Sequence, residues 1–119
     1  MSTRSFICVA GEESGVRGIY CHYDGYPEHV GKILVEHHNS IGAAEKLIGG
    51  PQIRNFDHDG TVGRFGDGPS DASEIYDTKE EALNSGFDYF YQFSRKTNSW
   101  KCFGRRDGAI VECEIPSEK

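Results

Sequence analysis

Phe87, Tyr89, Tyr91 and Phe93 alternate with Asp88, Phe90, Gln92 and Ser94. A period of two is the signature of a β-strand, whose successive side chains point to opposite faces. One face of this strand is wholly aromatic, so it must be covered. A lone strand or hairpin cannot do that in water, so a sheet with a packed layer is required. Four more segments read as strands. Residues 5–9 are an apolar run ended by Gly11. Residues 16–23 put Ile19 and Cys21 on one face and Tyr20 and His22 on the other, and Glu12 to Gly15 turn the chain between these two segments. Residues 100–104 and 109–115 flank Asp107-Gly108, a tight hairpin signal.

The helices announce themselves by their ends. Pro27 suits a first helical position, and Glu28 complements the positive end of the helix. Val30, Ile33, Leu34 and His37 then recur at i, i+3, i+4 and i+7, which predicts a helix over 27–38 with His37 facing the core and His38 facing away. Ser40 is placed to cap a second helix with Ile41, Ala44, Leu47 and Ile48 inward, ended by Gly49-Gly50-Pro51. Thr78 opens a capping box with Glu81, and Gly86 closes that short helix. Residues 51–73 show little periodicity and many glycines, so they read as a long recognition loop. The expected fold is α+β: an antiparallel sheet of about five strands, with two to three helices packed on one face. All of 1–119 reads as one domain with a frayed tail at 116–119.

Charge narrows the function classes. The 119 residues carry 13 Lys+Arg against 19 Asp+Glu, a net charge of −6. That opposes direct nucleic-acid binding, which depends on neutralising phosphates, and binding to anionic lipid. No apolar run approaches the ~20 residues of a membrane span. The first residues show no signal-peptide pattern, which points to the cytoplasm of a bacterial host. Nor is the charge even. Residues 57–88 hold nine acids against Arg64 and Lys79, a segment net of −7 that leaves +1 for the remainder. Asp57, Asp59, Asp67, Asp71, Glu74, Asp77, Glu80 and Glu81 therefore read as one surface for a basic partner, with electrostatics steering the encounter. The competing reading is ordinary solubility. Residues 95–106 hold five bases and no acid.

Three segments carry residues of chemical interest. Cys21, His22, His37 and His58 are nitrogen and sulfur donors of the kind zinc takes. Adjacent Cys21 and His22 point to opposite faces, so only one easily joins His37, and His22 has the better claim. The spacing matches no standard finger, and a hydrogen-bonded core histidine pair beside a buried cysteine competes with it. Cys102 lies next to Lys101 and near Arg105 and Arg106. No histidine follows it, and it sits inside a strand, so packing explains it better than nucleophilic chemistry. The four cysteines, Cys8, Cys21, Cys102 and Cys113, contain no Cys-x-x-Cys and do not suggest a disulfide framework. The run from Gly60 to Gly68 lacks the Gly-Lys-Ser/Thr ending of a phosphate loop. Arg64, Phe65, Tyr89, Tyr91 and Trp100 remain as lining for a ligand pocket.

The stretch Ile19-Tyr20-Cys21-His22-Tyr23-Asp24-Gly25-Tyr26-Pro27-Glu28-His29-Val30-Gly31-Lys32 resembles a family of small proteins encoded by phages, prophages and other mobile elements. Ser2 to Ile7 matches the family's opening, and Leu34-Val35-Glu36-His37 matches its helix end. The likeness is good over residues 2–38 and looser around 55–58. His29 stands where the family usually has glycine. The resemblance implies a mobile-element origin and histidines corresponding to His22, His37 and His58. The functional expectation is a non-enzymatic inhibitor of host defence, similar to anti-CRISPR proteins. It would block nucleic-acid loading on the basic surface of a CRISPR effector nuclease, with a structural zinc tying the helix to the strand. The alternatives are a sponge for a nucleotide immune signal and a metal-dependent hydrolase.

Overall fold

The computed structural model describes residues 3–10, 15–57, 59–65, 74–94, 96–106 and 109–115. The expected turns at 12–14 and 107–108, His58, Asp67, Asp71, Arg95 and the tail at 116–119 lie outside the described residues. The order of elements is β1 (Ser5–Ala10), β2 (Val16–Cys21), a π turn (Pro27–Gly31), α1 (Lys32–His37), α2 (Ile41–Ile48), β3 (Ile53–Phe56), β4 (Val62–Arg64), β5 (Glu74–Tyr76), α3 (Lys79–Leu83), β6 (Tyr89–Ser94), β7 (Ser99–Arg106) and β8 (Ala109–Cys113).

The fold is α+β, but the sheet is larger than expected and mixed. Its strands run β4-β3-β2-β1-β6-β7-β8, and β5 pairs with β2 as well. β1 pairs antiparallel with β2 and parallel with β6. Expecting an antiparallel sheet assumed that strands pair with their neighbours in sequence. β6 instead returns after the whole helical segment and docks beside β1, and a crossover of that length permits a parallel pair. The region expected as a loop contains β3 and β4. Strands of three or four residues are too short to show a period, so partners rather than pattern define them.

Both faces of the sheet are packed. On one, Ile7, Ile19, Cys21, Tyr91, Phe93 and Cys102 meet Val30, Ile33 and Leu34 of the π turn and α1, and Ala44, Leu47 and Ile48 of α2. On the other, Phe6, Cys8, Val16 and Phe90 meet Phe87 and Ala82 of α3. The helices therefore do not share one face. α3 lies across the sheet from α1 and α2, because β6 carries apolar residues of both parities, Phe90 among them. β1 and β2 lie close together at Gly18. A side chain at Gly18 would meet the Ile7 carbonyl at 2.3 Å, the Cys8 Cβ at 2.5 Å and the Phe6 ring at 2.7 Å. Only glycine lets the Phe6 ring lie flat there.

The caps behave as expected. Ser40 Oγ accepts from the Ala43 N–H at 3.1 Å, and Thr78 Oγ1 accepts from the Glu81 N–H at 3.1 Å. The first turn of the 27–38 segment is a π turn, its Lys32 N–H reaching back to the Pro27 carbonyl. Among the described residues no helix is long and apolar enough to cross a membrane.

Candidate functional site

The histidines do not converge. Cys21 is buried under α1, whereas His22 lies on the opposite face with Tyr20, whose hydroxyl contacts His22 Nδ1. The His22 ring also meets Tyr23 and Phe65, with centroids 4.4 and 5.6 Å away. His22 therefore does not join His37, which belongs to α1 on the other side of the sheet. The strand alternation that separates Cys21 from His22 points His22 away from the helix. Among the described residues no group of three or more His, Cys, Asp or Glu is placed to hold a metal ion.

The histidines of the helical segment fasten the β3–β4 hairpin. His29 donates from Nε2 to the Phe56 carbonyl at 2.8 Å, and His38 donates from Nε2 to the Gly60 carbonyl at 2.9 Å. Gly60 has φ +94°, and a side chain there would lie 2.7 Å from His37 Cβ, so the hairpin turn presses directly on α1. His37 is exposed, while His38 is half-buried with its ring edge-on to Phe56 at 5.8 Å. This reverses the expected orientation. α1 ends at His37, and His38, with φ −134°, leaves the helical path and turns inward. Burial lowers the pKa of His38 and favours the neutral ring.

The five expected pocket residues do not line one pocket. Arg64 is committed to backbone carbonyls at the end of α2, donating to Pro51 at 2.7 Å and Leu47 at 3.0 Å. Phe65 is 51% exposed beside His22. Tyr91 is buried, its hydroxyl donating to the Gly25 carbonyl at 2.6 Å, and burial pushes its pKa upward. Tyr89 is half-buried beside Gly104. Trp100 donates from Nε1 to the His38 carbonyl at 3.0 Å and lines a groove of about 460 Å³ between α1 and β7–β8. Tyr89, Tyr91 and Trp100 lie on the same face of the sheet, but their rings pack into its core, whereas Arg64 and Phe65 stand away on β4 and just after it.

Sequence reasoning missed the split beside β2. Gly18 pairs with Glu74 of β5, and three residues later Cys21 pairs with Ile53 of β3. Where the two partners part, a cavity of about 260 Å³ opens, lined by Arg4, Tyr20, Gln52, Glu74, Tyr76 and Phe87. Tyr20 and Phe87 stand with centroids 5.9 Å apart, and Tyr76 Oη donates to Glu74 Oε2 at 3.3 Å. No periodicity signals a strand that changes partners along one edge.

The described acids fall into two groups. Asp57 and Asp59 are exposed in the β3–β4 turn, where hydrogen bonds from Thr61 hold the Asp59 carboxyl below its usual range. Glu74, Asp77, Glu80 and Glu81 are exposed on β5, the β5–α3 turn and α3. Ile75 lies at the centre of β5 and is 73% exposed. The chain matches no protein-family model, no curated protein and no solved structure.

Proposed function

We propose that this chain is a non-catalytic binding protein that docks on a basic surface of a partner through the β5–α3 face. The observation that carries the reading is the run of exposed side chains Glu74, Ile75, Asp77, Glu80 and Glu81 along β5, the β5–α3 turn and α3. Exposed like charges along one run with an exposed apolar side chain among them give both steering and a contact point to desolvate. The resemblance to mobile-element proteins directs the search to host-defence nucleases, whose nucleic-acid grooves are basic. An inhibitor seated there competes with the nucleic acid for the same cations.

The test is co-elution with a CRISPR effector nuclease purified free of nucleic acid. The native chain is expected to co-elute, and excess guide RNA to displace it. The variant with Asp77→Lys, Glu80→Lys and Glu81→Lys is expected to lose binding at least tenfold, since truncating or inverting charges at a contact typically costs over 1.4 kcal/mol. Equal binding by native and variant chains would overturn the docking face. Failure with every such nuclease would overturn the partner class.

The cavity beside β2 favours a second reading, a binder of nucleotides. Its three aromatic walls suit a base, for which stacking contributes about 1–3 kcal/mol, and Arg4 suits an anionic or acceptor edge. A rise in Tm with millimolar nucleotide, lost in Tyr20→Ala and retained in the triple-lysine variant, would separate it from the first reading.

A further inference from the structure

Cys102 and Cys113 are direct partners across the antiparallel β7–β8 pair. Partners in such a pair have Cα atoms about 4.5–5.5 Å apart, inside the 4.4–6.8 Å range of disulfides. Both side chains face the same apolar layer. Cys102 is fully buried, whereas Cys113 is only partly buried, and both line the groove beside Trp100. Two features leave room for the sulfurs to meet. Gly104 has no side chain, and one placed there would lie 3.1 Å from Cys113 Sγ. β8 is the last strand of the sheet, so it can shift towards β7 without displacing another strand. The other two cysteines offer no such pairing: Cys8 faces Gly18 across β2, and Cys21 faces Ser5 across β1.

We propose that Cys102 and Cys113 form a redox-active pair that closes to a disulfide on exchange with a low-molecular-weight disulfide such as oxidised glutathione. Cys113, reached from the groove, attacks as its thiolate. The small disulfide's S–S bond breaks, one thiol leaves, and a mixed disulfide forms on Cys113. Cys102 then gives up its proton, and its sulfur attacks Cys113 Sγ. The second small thiol leaves with a proton from solvent. Two protein thiols are oxidised by two electrons, and one small disulfide is reduced to two thiols. Burial raises the pKa of Cys102, which makes the second step the slower one. The product ties the last strand of the sheet to β7 along the wall of the groove.

The folded chain is incubated across a series of oxidised-to-reduced glutathione ratios, quenched in acid, unfolded and alkylated. The expected product has lost two hydrogens, leaves only Cys8 and Cys21 alkylated, and gives a Cys102–Cys113 cross-linked peptide with a raised Tm. Cys102→Ala is expected to stop at a glutathione adduct on Cys113. Cys8→Ser and Cys21→Ser are expected to cross-link as the native chain does. Alkylation of all four thiols at every ratio would overturn the proposal. So would a native chain that stops at the Cys113 adduct, or a cross-link that joins any other pair.

Discussion

β6 and β7 pair residue for residue from Tyr89↔Gly104 to Ser94↔Ser99, whereas β2 and β3 share the single pair Cys21↔Ile53. The β1-β6-β7-β8 half is a continuous ladder with its side chains divided between two cores. The β2-β3-β4-β5 half is assembled from short strands, changes partners along one edge, and is fastened by side-chain hydrogen bonds from His29, His38 and Arg64 to backbone carbonyls. Asp57, Asp59, Glu74, Ile75 and the Tyr20 and Tyr76 walls of the cavity lie on this second half, with Glu80 and Glu81 on α3 beside β5. Long strands hold themselves by ladder and core, and the groove beside Trp100 lies where that ladder reaches its β8 edge. Short strands leave edges and gaps, and those are where a partner or ligand can be met.

The contrast predicts unequal costs for removing apolar side chains. Phe90 is fully buried between the Phe6 and Phe103 rings, in the core that also holds Phe87. Phe90→Ala should destabilise by about 3–5 kcal/mol, the range for a large buried aromatic. Ile75→Ala should stay within about 0.5 kcal/mol, as for an open surface site. Urea unfolding of both variants measures the difference, and similar costs would break the distinction between the halves.

The next largest effect is expected where the halves join. Gly18→Ala drives a methyl group into the Ile7 carbonyl and the Phe6 ring. Backbone cannot yield there as a side-chain tip can, so a loss of about 1–3 kcal/mol is expected. The paired variant Gly18→Ala with Phe6→Leu sharpens the test. It should cost less than the sum of its single changes if the ring is the obstacle, and the full sum if the Ile7 carbonyl is.

The ladder half was legible because its signals are local. The aromatic alternation marked β6, and Asp107-Gly108 placed β7 opposite β8. A two-residue turn there sets Cys102 against Cys113, a consequence the sequence contained although spacing motifs such as Cys-x-x-Cys do not capture it. The caps at Ser40 and Thr78 were legible for the same reason, since a cap and its N–H partner are three residues apart. The other half depends on distant partners. Nothing near residue 53 says that it will lie beside Cys21, and nothing near residue 74 says that Gly18 will receive it. The candidate site suffered most. Its acids were visible as composition, but β5, which exposes Glu74 and Ile75, is three residues long, and the turn and α3 after it carry Asp77, Glu80 and Glu81. The histidines stood out by type and lay at suggestive spacings, yet His22 faces Tyr20 on the far side of the sheet from α1, and the ring nitrogens of His29 and His38 are used on carbonyls.

The smallest predicted effect concerns the fastening at His38. Its ring is half-buried against Phe56 and donates to the Gly60 carbonyl, and burial lowers its pKa below the ordinary value. In the unfolded chain the imidazole titrates near its usual value of about 6.5. Between that value and the lower folded one, the unfolded state binds the proton and the folded state resists it. His38 therefore contributes stability that is complete above about pH 6.5 and is lost as pH falls through the folded pKa. The ring is partly open to solvent, so the slope should be shallow. His38→Gln retains an N–H donor for the Gly60 carbonyl but cannot titrate. Urea midpoints measured at about pH 7.5 and about pH 5 should fall less in this variant than in the native chain. An equal fall in both would mean that His38 can charge without loosening the hairpin, and that the β3–β4 half is held by packing rather than by this bond.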